Sequence, residues 1–562
     1  MEVIKAKVQQ AVQLMEQNSV DRSKSIEGLR DLRRLLGSTA AAIEVVVSAG
    51  LVPILSNFLM APSQDMQIEA AWCLTNIASG DTSQTNTVLE AVPYLVQLIS
   101  SDPLQNQELH NQVVWCLGNM AGDTDSTRQA LIAAGVVPAL AVVLFANAEL
   151  LLKHVASGDN EQAVDGTAVI AAWALSNASR GSTPFAAFAL SFDGGVTTII
   201  TSLLSLLNRT VATLMQKAIE PGVDPNASKL KTSLELVEEL SWIFTFISRK
   251  EAHDDISSLL IQHELGVTLC NVCELYVPGH PSSLPAIRAL GNLTSGPLEW
   301  LECMMPSKLH QVSTSSTPMP PPLIASSLAK CLSSGPKGHR AVLKEGLWVV
   351  ANLLGGTETH RDLTIACPHL MESVVSFLLC DQFDLQREAI FAIVNAYKND
   401  NFLQHLSTNR NILMRLIELL NAPDPEVVLY SMSILSSAAL HCGALDVCTE
   451  LGMMDVLDEI QYRSGSEEVR RLASGLSDEI FAKQDEEDAA GNNATGFGAN
   501  SSESEYFDGH PAVIRGVREA VKPAWMSTSA SAGTGDAFGA TTTTTTTTTS
   551  SANTSATNVF SF

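Results

Sequence analysis

One short pattern recurs along this chain of 562 residues. A large residue, usually aromatic, is followed four positions later by asparagine. Trp72-Cys-Leu-Thr-Asn76, Trp115-Cys-Leu-Gly-Asn119 and Trp173-Ala-Leu-Ser-Asn177 are three copies. Arg288-Ala-Leu-Gly-Asn292, Trp348-Val-Val-Ala-Asn352 and Phe391-Ala-Ile-Val-Asn395 are three looser ones. Positions i and i+4 lie on one face of a helix, one turn apart. Five of the seven tryptophans (Trp72, Trp115, Trp173, Trp242 and Trp348) occupy this one position. A chain of this length exceeds one compact core, and repeating units that pack only on their neighbours are the natural alternative.

The spacing supports that alternative. Trp72 and Trp115 are 43 residues apart, as are Trp348 and Phe391. Purely helical periods of about 40–47 residues belong to armadillo and HEAT arrays. Within the unit, residues 40–49 read as a short helix ending at Gly50. Pro53 sits in the first turn of a second helix, where its missing N–H does no harm. Residues 64–79 read as a third helix carrying Trp72 and Asn76, closed by Gly80. Pro93 and residues 108–121 repeat the scheme, and residues 131–140 begin it again. Residues 1–36 carry two apolar helical stripes. The spacings of 58, 69, 46 and 60 between Trp115, Trp173, Trp242, Arg288 and Trp348 predict insertions near 150–164, 209–230 and 305–335. The last contains the Ser/Thr/Pro-rich loop 313–322. Residues 409–421, 424–440 and 443–482 stay helical without the Trp/Asn pair, as capping units do.

Composition changes at Lys483. An acidic run is followed by Gly/Ser/Asn-rich sequence and nine threonines at 541–549. Such a tail buries too little apolar surface to fold. The division is therefore a helical array over 1–482 and a disordered tail over 483–562. Within the tail, residues 511–525 hold one apolar helical patch. Phe497-Gly498 and Phe538-Gly539 are isolated Phe-Gly dipeptides.

A net charge of −26 argues against nucleic acid as a partner and for basic ones. The ten cysteines lie mostly in apolar helical runs, as Cys73, Cys116 and Cys380 do, which fits a reducing compartment. Cys270 and Cys273 lack a second pair or a histidine at zinc spacing, so no metal site or cofactor is expected. No signal-peptide core or membrane-length apolar run is evident, so a soluble intracellular protein without a membrane partner is expected. Phosphate loop, HExxH and nucleophile elbow are all absent, so the chain does not read as an enzyme.

The repeated pair has a definite chemistry. An asparagine amide can donate to a peptide carbonyl and accept from a peptide N–H. Parallel indole rings form slots that suit the methylene stem and cation of Lys or Arg, each contact contributing roughly 0.5–2 kcal/mol. Asp123, one turn after Asn119, is spaced to meet an ammonium group. The pattern thus reads as a groove for a basic peptide in extended form.

From about residue 25 to 482 the sequence resembles importin-alpha, the armadillo adaptor for nuclear localisation signals. The resemblance rests on Ala70-Ala-Trp72-Cys-Leu-Thr-Asn76-Ile-Ala-Ser-Gly80 and Trp115-Cys-Leu-Gly-Asn119-Met-Ala-Gly-Asp123. It implies a right-handed superhelical solenoid of about ten armadillo repeats, shuttling between cytoplasm and nucleus. It implies a major cargo site at Trp72, Asn76, Trp115, Asn119, Trp173 and Asn177, with Gly80, Thr85 and Asp123 as a lysine pocket. It implies a minor site at Arg288, Asn292, Trp348, Asn352, Glu388, Phe391 and Asn395. Importin-beta and the recycling exportin are the implied partners, the latter at the repeat from Leu451 to Ile480 and the acidic stretch after it. Three departures stand out: Phe391 in place of a tryptophan, Phe246 where the family often has tyrosine, and mixed charge over 1–36 in place of a basic arm. Without that arm, the groove is expected to be free of autoinhibition. An armadillo scaffold or chaperone for basic proteins outside transport is the alternative reading.

Overall fold

In the computed structural model, residues 2–16, 22–100, 102–157, 166–181, 195–224, 227–249, 254–262, 264–305 and 321–493 are described. The regular elements among them are all helices. Contacts divide the chain into two compact units, the first ending at Tyr276 and the second starting at Val277.

In the first unit, one long helix per repeat packs on the next. The series runs Arg22–Leu36, Gln64–Ala78, Gln107–Gly122, Thr167–Ala178 and Ser228–Ile247. In the second unit the series is Leu284–Thr294, Arg340–Leu354, Phe383–Ala396, Pro425–His441 and Glu467–Asn493. Five such helices in each unit make ten repeats among the described residues, the number that the resemblance implies. The packed faces are the apolar stripes. Leu29, Leu32, Leu74, Ile77, Val113 and Leu117 are fully buried between neighbouring helices of the first unit.

The two shorter helices of a repeat meet at a sharp corner, 89° between Ala40–Ser48 and the helix starting at Val52. Gly50 turns that corner with φ 69°, a left-handed conformation that glycine adopts without strain. The same corner recurs at Glu264 (φ 60°) and His369 (φ 61°), where a side chain tolerates it. Pro53 and Pro93 each sit at the first positions of the helix that follows, as their ring favours. The helices Glu2–Met15 and Arg22–Leu36 pack together as the first repeat. Val8, Ala11 and Met15 bury against Leu29 and Leu32, and a Cβ on Gly28 would clash with the backbone carbonyl of Ala11.

The insertions differ from plain loops. Residues 150–157 extend one helix, which runs Val136–Ser157, and 209–219 complete Gly195–Ile219. Of 305–335, Leu323–Leu332 is helical, while 306–320, with most of the proline-rich loop, lies outside the described residues. Two helices, Val136–Ser157 and Thr197–Ile219, are long and apolar enough to cross a membrane, a length that the sequence reading missed. Much of each is packed inside the array, 61% and 50% of the most apolar stretch, respectively. Cys380 is only half-buried at a helix end, unlike the buried Cys73 and Cys116. The last helix runs to Asn493, and Lys483 donates to the carbonyls of Ala439 and Leu440 at the end of the preceding repeat's helix. Both Phe-Gly dipeptides and the 511–525 patch lie outside the described residues.

Candidate peptide groove

The ladder asparagines do one job that helical spacing alone does not reveal. Asn76 Nδ2 donates to the carbonyl of Arg33 (3.3 Å), Asn119 to Thr75 (3.3 Å) and Asn177 to Gly118 (3.1 Å). In the second unit Asn352 donates to Gly291 (3.4 Å) and Asn395 to Ala351 (3.0 Å). Except at Arg33, the acceptor is the residue just before the previous ladder asparagine. Each amide therefore latches its helix to the preceding one. Asn76, Asn119 and Asn395 stay half-buried, and no other hydrogen bond of their side-chain amides is found among the described residues. The second N–H and Oδ1 of these amides remain for a ligand. Asn177 is more enclosed and accepts from Arg180 through Oδ1.

The aromatic residues are unequal. Trp115 is 39% exposed, Trp72 and Trp173 are half-buried, and Trp348 is only 6% exposed. A Cβ built on Gly118 would overlap the Trp173 ring, and one on Gly291 would overlap Trp348. These helix-interior glycines, unfavourable by roughly 1 kcal/mol relative to alanine, let the next indole lie flat on the backbone. Trp242 stacks on Phe246 at 5.7 Å, and Arg180 and Arg249 approach the Phe246 ring at 5.4 and 5.3 Å. Phe391 meets Tyr430 edge-on at 5.3 Å, with Arg387 over its ring at 5.3 Å. Arg387 is held in turn by Asp424 at 2.7 Å.

The expected lysine pocket is assembled as a polar cluster. Asp123 accepts from Thr82 (2.8 Å) and Thr127 (3.1 Å). Thr85 is buried and donates to the carbonyl of Ala78 (3.3 Å). Gly80 has no side chain to block Gln84, which accepts from the Asp81 N–H in a capping box. A carboxylate ringed by hydroxyls retains lone pairs for a cation.

A second feature escaped the sequence reading. A glutamate stands three residues before four of the aromatic residues: Glu69, Glu239, Glu345 and Glu388 precede Trp72, Trp242, Trp348 and Phe391. Positions i and i+3 share a helix face, so the motif was findable. Glu69 pairs with Arg33 Nε (2.7 Å) and Arg30 Nε (2.9 Å). Glu345 is fully buried and pairs with Arg288 at 2.7 Å. Arg288 therefore holds two helices together. Burial pushes the Glu345 carboxyl up, opposed by Arg288. Glu239 accepts from Ser176 (3.3 Å), and burial and Glu238 raise its pKa to about 7. Glu388 is buried. Among the described residues, no group of three or more His, Cys, Asp or Glu side chains is arranged to hold a metal ion.

Residues 39–79 match the Armadillo/beta-catenin-like repeat family. The chain is 27% identical to importin subunit alpha-9 of Arabidopsis thaliana, over 82% of this chain and 80% of that protein. It is 28% identical to importin subunit alpha-2 of Oryza sativa subsp. japonica, over 82% and 79%. Among solved structures, an engineered protein superposes with a TM-score of 0.58 at 22% identity, covering 84% of this chain and 98% of that one. A chain from a study of the cadherin–beta-catenin interaction gives 0.56 at 14% identity, covering 84% and 86%. Repeat geometry and sequence similarity agree: the chain is an armadillo-repeat protein, similar over about four fifths of its length to importin subunits alpha.

Proposed function

We propose that this protein is a nuclear import adaptor that takes Lys/Arg-rich signal peptides in extended form along its Trp/Asn ladder. The main site is the Trp72–Trp115–Trp173 array, with Asn76, Asn119 and Asn177 along it and Gly80, Thr85 and Asp123 beside it. A second, weaker site is built on Trp348, Asn292, Asn352, Glu388, Phe391 and Asn395, with Arg288 fixing its helix. The observation that carries this reading is the half-exposed, latched asparagine amides beside an exposed Trp115. Amides fixed before binding lose little entropy when they bond a peptide backbone. Relatives named importin subunit alpha support transport between cytoplasm and nucleus, with importin-beta and a recycling exportin as further partners.

Fluorescence anisotropy with a labelled Lys-rich peptide tests it. Each buried amide–peptide pair contributes roughly 1–3 kcal/mol, so Asn76→Ala with Asn119→Ala weakens binding at least about tenfold. Unchanged affinity in the double variant overturns the groove assignment. Capture of basic proteins without importin-beta points instead to a scaffold or chaperone outside transport.

A further inference from the structure

We propose that Arg33 is an end stop of the Trp72–Trp115–Trp173 array and selects the residue that flanks a bound basic run. This rests on the peptide-groove reading above. Arg33 lies on the helix preceding Trp72, and its guanidinium stacks on the Trp72 ring, 4.1 Å from the centroid. That is the contact which the array would offer a cation of the ligand. Nε of Arg33 lies 2.7 Å from Glu69 Oε2, while Arg30 takes Oε1 at 2.9 Å. The Glu69 side chain is 9% exposed. The Arg33 carbonyl also receives the Asn76 amide, so backbone and side chain are both held.

Three consequences follow from this geometry. The Trp72 face toward the first repeat is filled by the protein's own cation, and the slots left open lie on the Trp115 side. No arginine stacks on Trp115 or Trp173 among the described residues; beyond Trp173, Arg180 and Arg249 approach Phe246 and not a ladder indole. Two guanidinium groups share one carboxylate, so the Arg30–Arg33–Glu69 trio against Trp72 carries one net positive charge. Displacing Arg33 would cost Glu69, 9% exposed, the nearer of its two cationic partners and leave only Arg30, which opposes a bound peptide pushing it aside. A basic side chain beyond Trp72 meets like charge, whereas an acidic one meets the exposed edge of Arg30 and Arg33. The ligand class is therefore a basic run flanked by an acidic or neutral residue at the end nearest the first repeat.

The test uses the full chain and fluorescein-labelled Lys-rich peptides carrying Glu, Ala or Lys at one end or the other. The readout is the ratio of Kd for the Lys-flanked to the Glu-flanked peptide on each protein, with circular dichroism establishing that each variant folds. Wild type gives a ratio of about ten at one end only, reflecting like-charge exclusion. Arg33→Ala lowers it to about two, and Arg33→Glu inverts it. If Arg33→Glu does not fold, the Arg33→Ala ratio decides. A ratio near one at both ends in wild type, or one retained in Arg33→Ala, overturns the end stop. If Asn119→Ala still weakens these peptides in that case, the groove stands and only the end stop falls. If Asn119→Ala has no effect, the groove reading itself has failed.

Discussion

Asn119 donates its side-chain amide to the carbonyl of Thr75, the residue immediately before Asn76. The bond ties one ladder position to the next, so the amides of the proposed groove and the stacking of its repeats depend on the same side chains. Asn119→Ala should therefore lower the melting midpoint as well as peptide affinity. The stability effect is about 1 kcal/mol, the net value of one such bond. Asn119→Asp should be worse, because it replaces the donor with a carboxylate facing the Thr75 carbonyl. Thermal melts followed at 222 nm, beside peptide anisotropy, check both. A variant that loses affinity with an unchanged melt would separate the two roles.

Gly118 and Gly291 give a second expectation. Any β-carbon at either position runs into the indole of the following repeat, Trp173 or Trp348. Overpacking of this kind destabilises by roughly 1–3 kcal/mol and moves the ring. Gly118→Ala should weaken a peptide at the Trp72–Trp115–Trp173 array and spare the Trp348 site. Gly291→Ala should do the reverse. Peptides carrying one or two basic runs, titrated against each variant, distinguish the sites. Equal effects of both substitutions on both peptides would contradict two separable arrays.

Arg288 and Glu345 illustrate a different cost. The Glu345 carboxylate is fully buried, with Arg288 as its ion-pair partner at 2.7 Å. Removing one member of a buried pair typically destabilises by about 3–5 kcal/mol, because the other charge is left without compensation. Arg288→Ala should accordingly melt well below wild type, and adding Glu345→Gln should restore most of the loss. Chemical denaturation of the single and double variants measures the coupling. An additive result would mean that the pair is not a unit.

Much of this was legible in the residues themselves, and what was missed has physical reasons. Trp72 and Asn76 announce a helix face because their spacing is local, and the 43-residue period follows from counting. The Asn119–Thr75 bond joins residues 44 apart, and helical periodicity says nothing about a partner on another helix. Arg33 over Trp72 is hidden for the same reason, although the Glu69-x-x-Trp72 motif beneath it was in plain view. The left-handed residues at Glu264 and His369 are not glycine, so the punctuation that marks Gly50 in the sequence is missing there. Apolar runs such as 136–157 read as a short helix plus an insertion, since periodicity does not tell where a buried helix stops.

Glu239 ties stability to pH. It sits three residues before Trp242 and accepts from Ser176, with burial and Glu238 pushing its carboxyl up to about 7 against the pull of Ser176 and Arg180. Its ordinary value is 4.5. Between these two values the folded chain holds a proton that the unfolded chain releases, so this group's contribution to stability falls as pH rises through the interval. Below about 4.5 the group is neutral in both states and its contribution is fully present. Above about 7 the folded protein must bury the charge, and that contribution is gone. Glu239→Gln removes the titration while keeping the shape. The variant's melting midpoint should match wild type in acid, rise above it progressively as pH passes from about 4.5 to 7, and keep a constant advantage beyond. The same deprotonation adds a negative charge beside Trp242, so wild-type affinity for a basic peptide should increase across that interval and the variant's should not. A midpoint difference that stays flat with pH would show that Glu239 titrates at its ordinary value and is not desolvated by the repeats around it.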